Sequence, residues 1–143
     1  MTQSCRHHGQ LGSKHFFLAC DGSTSYLCHP KHRDGSRNSQ WNVSMPDECH
    51  IFCQSQTLNS FDNQRPGYWY VSVGARDVIG TKKQRLAFFE QPVNATDAWH
   101  GYPVGGTHNS GDPHYPPTDI INDWYMADRI PRHVADKFNR GKL

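Results

Sequence analysis

Three cysteines and four histidines fall between residues 4 and 30, and Cys49 and Cys53 follow before a cysteine-free stretch that fills the last 90 residues. That clustering constrains the fold more than any other feature. The chain must gather these groups on a metal ion, oxidise the thiols in pairs, or bury them singly as small apolar side chains. Five is an odd number, so any disulfide scheme leaves one cysteine over. The opening MTQSCRHHGQ lacks the apolar centre of a secretory leader. This predicts a cytoplasmic location, where thiols stay reduced and metal ligation is the favoured use of them.

Tetrahedral zinc takes four nitrogen or sulfur donors, commonly as short-spaced pairs. Cys5-Arg6-His7-His8 supplies a Cys-x2-His pair, and Gly9 after it permits a tight backbone curl. Cys20 and Cys28 would complete the set from across a hairpin. The predicted site is therefore Cys5, His8, Cys20 and Cys28 around one structural zinc. A rival set uses Cys28, His29 or His32, Cys49 and Cys53. Both sets need Cys28, so they exclude each other as independent sites. Cys49 and Cys53 can also serve as core residues.

Cys5-x2-His8-Gly9, then Phe16-Phe17-x2-Cys20 and the later Cys28, resemble the small zinc ribbons at the C-termini of type I topoisomerases and the GRF-type zinc finger. The resemblance covers residues 5–28. It implies a few short strands around one zinc and contact with single-stranded nucleic acid. Lys14-His15 stands where the GRF finger carries Gly-Arg.

The rest of the chain reads as α+β. Residues 14–20 and 24–30 are aromatic-rich runs split by Asp21-Gly22, a hairpin signal. Residues 30–42 are polar and turn-rich. Residues 48–56 read as a strand that places Cys49, Ile51 and Cys53 on one face. Residues 67–74 and 84–93 read as two more strands, joined by a basic turn. In the first of these, Trp69, Val71 and Val73 oppose Tyr68, Tyr70 and Ser72. From Val93 to Pro117, prolines and glycines predict irregular structure. Two helices then close the chain. Thr118 caps the first, and Pro131 opens the second. The expected architecture is a small antiparallel sheet with an N-terminal zinc-ribbon-like hairpin and two C-terminal helices. Ile120, Trp124, Val134 and Phe138 pack on Trp69, Val71 and Phe88 in that arrangement. Residues 1–56 form the Cys/His-rich region and residues 57–143 the aromatic body.

A net charge of +2 permits nucleic-acid contact without demanding it, and no apolar run is long enough to span a membrane. The sequence lacks a His-Glu-x-x-His helix, a nucleophile elbow, a phosphate-binding Gly-rich loop and a Cys-x-x-Cys redox pair. Two functions fit. One is a zinc-stabilised binding protein for single-stranded nucleic acid or a protein partner. For it, the informative segments are Lys31 to Arg37 and Lys82 to Arg85, because their meeting beside exposed aromatics would favour single strands. The other is a small hydrolase or nuclease of the toxin or effector kind, built on the 97–117 loop. There His100 would be the general base, Asp112 or Asp97 its orienting partner, and His114 a further catalytic group.

Overall fold

The computed structural model describes residues 5–105 and 115–140. It is an α+β structure with two antiparallel sheets and three helices. The N-terminal sheet has the order β1 (Arg6–Leu11), β2 (Lys14–Leu18) and β3 (Ser25–Cys28). Asp21 makes the turn between β2 and β3, its carboxylate accepting the Ser23 and Thr24 amides at 2.9 and 2.8 Å. Gly22 follows at φ +76°, a conformation natural to glycine.

The second sheet runs β4 (Phe61–Asp62), β5 (Gly67–Val71), β6 (Leu86–Glu90) and β7 (His100–Val104). The expected strands at 67–74 and 84–93 are the paired β5 and β6. Strand β7 occupies a stretch whose composition predicts irregular structure. Pro103 is tolerated because β7 is an edge strand, where a missing amide donor breaks no inner ladder. Gly101 lies opposite Phe89, where a Cβ would overlap the Phe88 carbonyl and the Phe89 ring.

The strand expected at 48–56 is instead part of helix α1 (Met45–Thr57). Ser44 caps it, its hydroxyl accepting the Asp47 amide at 3.2 Å, and Pro46 sits in the first turn. Cys49, Phe52 and Cys53 share its buried face at helical spacing. Helices α2 (Thr118–Met126) and α3 (Arg132–Asn139) lie where expected, although Pro117 rather than Thr118 holds the capping position.

The four-stranded sheet separates two cores. Trp69, Val71, Leu86 and Phe88 pack with Ile120, Trp124, Val134 and Phe138 from α2 and α3. The alternate residues Tyr70, Ala87 and Phe89 pack with Phe52 of α1 and with Phe17 and Tyr26 of the N-terminal sheet. Described residues on both sides of position 56 thus share a core. Trp99 also joins the two sheets through a parallel bridge to Tyr26, accepting the Leu27 amide at 2.7 Å and donating to Ser25 at 2.9 Å. Among the described residues no helix is long and apolar enough to cross a membrane.

Candidate functional site

Four of the five cysteines converge where the start of β1, the β2–β3 turn and helix α1 meet. Cys5 Sγ lies 3.5 Å from Cys53 Sγ and 3.8 Å from Cys20 Sγ. Cys5 and Cys49 are joined by a disulfide. The Sγ atoms of Cys5, Cys20 and Cys53 are grouped closely enough to hold a metal ion. Zn–S bonds of 2.3 Å at tetrahedral angles separate sulfurs by about 3.8 Å, so the two Cys5 contacts match thiolate-cage spacing, although Cys5 offers a thiolate only when its bond to Cys49 is reduced. The Cys20 amide donates to Cys53 Sγ at 3.0 Å, the type of backbone bond that steadies a metal-bound sulfur. The Cys5 amide donates to Nε2 of His50 at 3.3 Å. Burial, with the Cys20 hydrogen bond next, pushes the Cys53 thiol up to about 12.

This cluster differs from the expected ligand set. Cys5 and Cys20 are in it, whereas His8 and Cys28 are not. His8 is exposed at a register shift in β1, between His7 and Gly9. Cys28 fails to meet Cys20 because of hairpin register. Leu18 pairs with Ser25 beside the turn, but Cys28 pairs with His15 at the opposite end. Its thiol is fully buried, points to the Met45 carbonyl at 3.7 Å and is pushed well up by burial and by Glu48. Cys53 of α1 takes part instead, while Cys49, one helical turn before it, is bonded to Cys5 and lies outside the three-sulfur group. The Ser44-x-x-Asp47 capping pattern with Pro46 was the available signal for that helix. The expectation that all five cysteines are thiols also gives way, since Cys5 pairs with Cys49 while Cys20, Cys28 and Cys53 are free.

A buried polar network links α1 to the following loop. Glu48 is inaccessible to solvent and receives the Tyr26 hydroxyl on Oε2. Its Oε1 accepts Nε and Nη2 of Arg33 at 3.0 and 2.8 Å. Burial pushes Glu48 up to about 7 against the opposing pull of Arg33 and Tyr26.

Arg33 also borders a cleft of about 970 Å³ between the 33–41 loop and the 80–84 turn. The Trp41–Gly80 bridge and a 3.0 Å bond from the Thr81 amide to the Gln40 carbonyl hold its walls together. Arg37 and Lys82 add positive charge, and among the described residues no carboxylate lines the cleft. Asp34, nearby, turns its carboxylate onto the Ser36 amide at 2.9 Å. The two basic segments singled out in the sequence thus meet. The aromatic residue beside them, Trp41, is only 5% exposed, stacks on Phe89 and donates Nε1–H to the Gly101 carbonyl.

Of the candidate catalytic residues, His100 heads β7, while Asp112 and His114 lie outside the described residues. Asp97 accepts the Asn94 side-chain amide at 3.3 Å. His100 neighbours His29, with ring centroids 5.8 Å apart, and burial lowers its pKa.

No protein-family model, curated protein or solved structure matches this chain.

Proposed function

We propose that the protein is a zinc-stabilised binding protein whose basic cleft takes single-stranded nucleic acid. Zinc would be held by Cys5, Cys20, Cys49 and Cys53 once the Cys5–Cys49 pair is reduced. Four protein thiolates close the coordination shell, so this metal supports folding rather than chemistry. The observation that carries the reading is the junction of the 33–41 loop and the 80–84 turn into one cationic cleft. Arg33 is fixed in its wall by Glu48 rather than left to swing in solvent. Because Trp41 is covered, phosphate contacts would dominate over base stacking, and sequence preference would be low.

The test is anisotropy of a labelled oligothymidine across a salt series, with duplex of the same length as competitor. Binding should weaken with salt by about 0.7 log units per log unit of salt for each phosphate neutralised. Arg37→Ala with Lys82→Ala should flatten that slope by about 1.4. Absence of binding at low salt, or an unchanged slope in the double variant, contradicts the reading.

A further inference from the structure

The cysteine cluster carries a second chemistry that needs no metal. Cys5 is bonded to Cys49, while Cys20 and Cys53 are free thiols. Both free sulfurs approach the same atom of that bond. Cys53 Sγ lies 3.5 Å and Cys20 Sγ 3.8 Å from Cys5 Sγ. Thiol–disulfide exchange is the attack of a thiolate on one sulfur of a disulfide, and it depends on access to that sulfur. Cys5 therefore has two nucleophiles in contact with it, and Cys49 is its leaving group.

The two nucleophiles differ in burial and in backbone. Cys53 is 8% exposed on α1, and its Sγ is already engaged by the Cys20 amide at 3.0 Å. Burial pushes its thiol up, which leaves little thiolate near neutrality. Cys20 is only partly buried and lies in the turn between β2 and β3, outside the strand ladder. Forming a Cys5–Cys20 bond means closing 3.8 Å to about 2.0 Å, a movement that side-chain rotation on a turn can supply. Cys49, by contrast, is fully buried on α1. Exposure thus falls from Cys20 and Cys5 at the margin to Cys49 inside.

We propose that the oxidised cluster is a thiol–disulfide exchange site in which Cys20 opens the Cys5–Cys49 bond and brings the disulfide within reach of a small thiol such as glutathione. The Cys20 thiolate attacks Cys5 Sγ. The Cys5–Cys20 bond forms as the Cys5–Cys49 bond breaks, and Cys49 leaves with the electron pair and takes up the proton that Cys20 released. One disulfide replaces another, so this step consumes no oxidant or reductant. The external thiolate then attacks Cys20, forming a mixed disulfide with it and releasing Cys5 as a thiol. A second external thiolate attacks the first and frees Cys20. Two small thiols are thereby oxidised to their dimer, and the protein disulfide is reduced to two thiols. Cys49, sealed in the core, is never attacked from outside. This chemistry belongs to the metal-free chain and does not rest on the zinc reading.

The test is reduction of the oxidised full-length chain by reduced glutathione with a chelator present, quenched with acid and followed by mass spectrometry of its peptides. Wild type should show the Cys5–Cys49 peptide before thiol is added, a minor Cys5–Cys20 peptide beside it, and a glutathione adduct on Cys20 during reduction. Cys20→Ser should keep the Cys5–Cys49 bond and slow its reduction by about tenfold. A loosened fold would expose the bond and speed reduction, so slowing is specific to the lost thiol. Equal or faster reduction of Cys20→Ser overturns the proposal, because glutathione then attacks Cys5 itself. So does slowing in Cys53→Ser alone, which assigns the attack to Cys53, or an oxidised wild type without the Cys5–Cys49 bond. Zinc binding is read on the reduced chain, so failure of that reading is separable from failure of this one.

Discussion

The two faces of the four-stranded sheet solve the same packing problem with different chemistry. Beneath α2 and α3 the contacts are almost wholly apolar, with Trp69 against Phe88 at 4.7 Å and Ile121, Trp124 and Phe138 sealed around them. Both indole donors there are paired: Trp69 Nε1 donates to Asp62 at 3.2 Å, and Trp124 Nε1 to Ser60 at 2.8 Å. On the opposite face, beneath α1, the core contains sulfurs and the Glu48–Arg33 ion pair. Burying a charged or polar group is unfavourable unless a partner meets it. One face therefore depends mainly on excluding water, while the other depends more on having its polar partners in place. The cleft and the cysteine cluster border the second face, through Trp41 and through Cys49 and Cys53, whereas His32 stacks on Tyr102, which packs against the α2 and α3 core.

The comparison can be broken most forcefully on the apolar side. Phe88→Ala should cost about 4 kcal/mol in urea unfolding, by lost burial and the cavity it leaves. That loss should be the same with and without a metal chelator; a chelator-dependent loss would mean the two faces are not separable. Glu48→Ala should cost about 3 kcal/mol, because Arg33 and the Tyr26 hydroxyl lose a buried partner. The same change should weaken oligothymidine binding if Glu48 holds Arg33 in the cleft wall. A mild stability loss, well under 1 kcal/mol, would mean the network is dispensable. Ser44→Ala removes the cap of the helix that carries Cys49 and Cys53, at about 1 kcal/mol. Its cost should grow when metal is bound, since helix order and ligation are then coupled; equal costs in both states would argue that α1 does not depend on the cluster.

Much of the fold was legible in the chain. The Asp21-Gly22 turn, the alternation of Trp69 and Val71 against Tyr68 and Tyr70, and the stripe of Ile120, Ile121 and Trp124 each follow from local periodicity. Two elements were not. Cys49, Ile51 and Cys53 suit alternation as well as a helical face, and the strand reading took no account of the Ser44 cap and Pro46 that start the helix. Strand β7 carries Gly101 and Pro103, both poor strand residues, and it forms because Phe88 and Phe89 provide a neighbour to pair with. The clusters were the least legible. Spacing joins Cys5 to His8, but tertiary structure joins Cys5 to Cys53, 48 positions away. His29 meets His100 across a part of the fold where the Tyr26–Trp99 bridge sets the end of β3 beside the start of β7. Local sequence identifies donor types, and the topology chooses which donors meet.

The central proposal is that Cys5, Cys20 and Cys53, with Cys49 once its bond to Cys5 is reduced, would hold one metal ion. Zinc-edge X-ray absorption on the reduced chain, loaded to one equivalent, tests it directly. The account predicts a shell of sulfur alone at about 2.3 Å. A shell containing nitrogen, as Cys5, His8, Cys20 and Cys28 would give, or no tightly bound zinc at all, would contradict it.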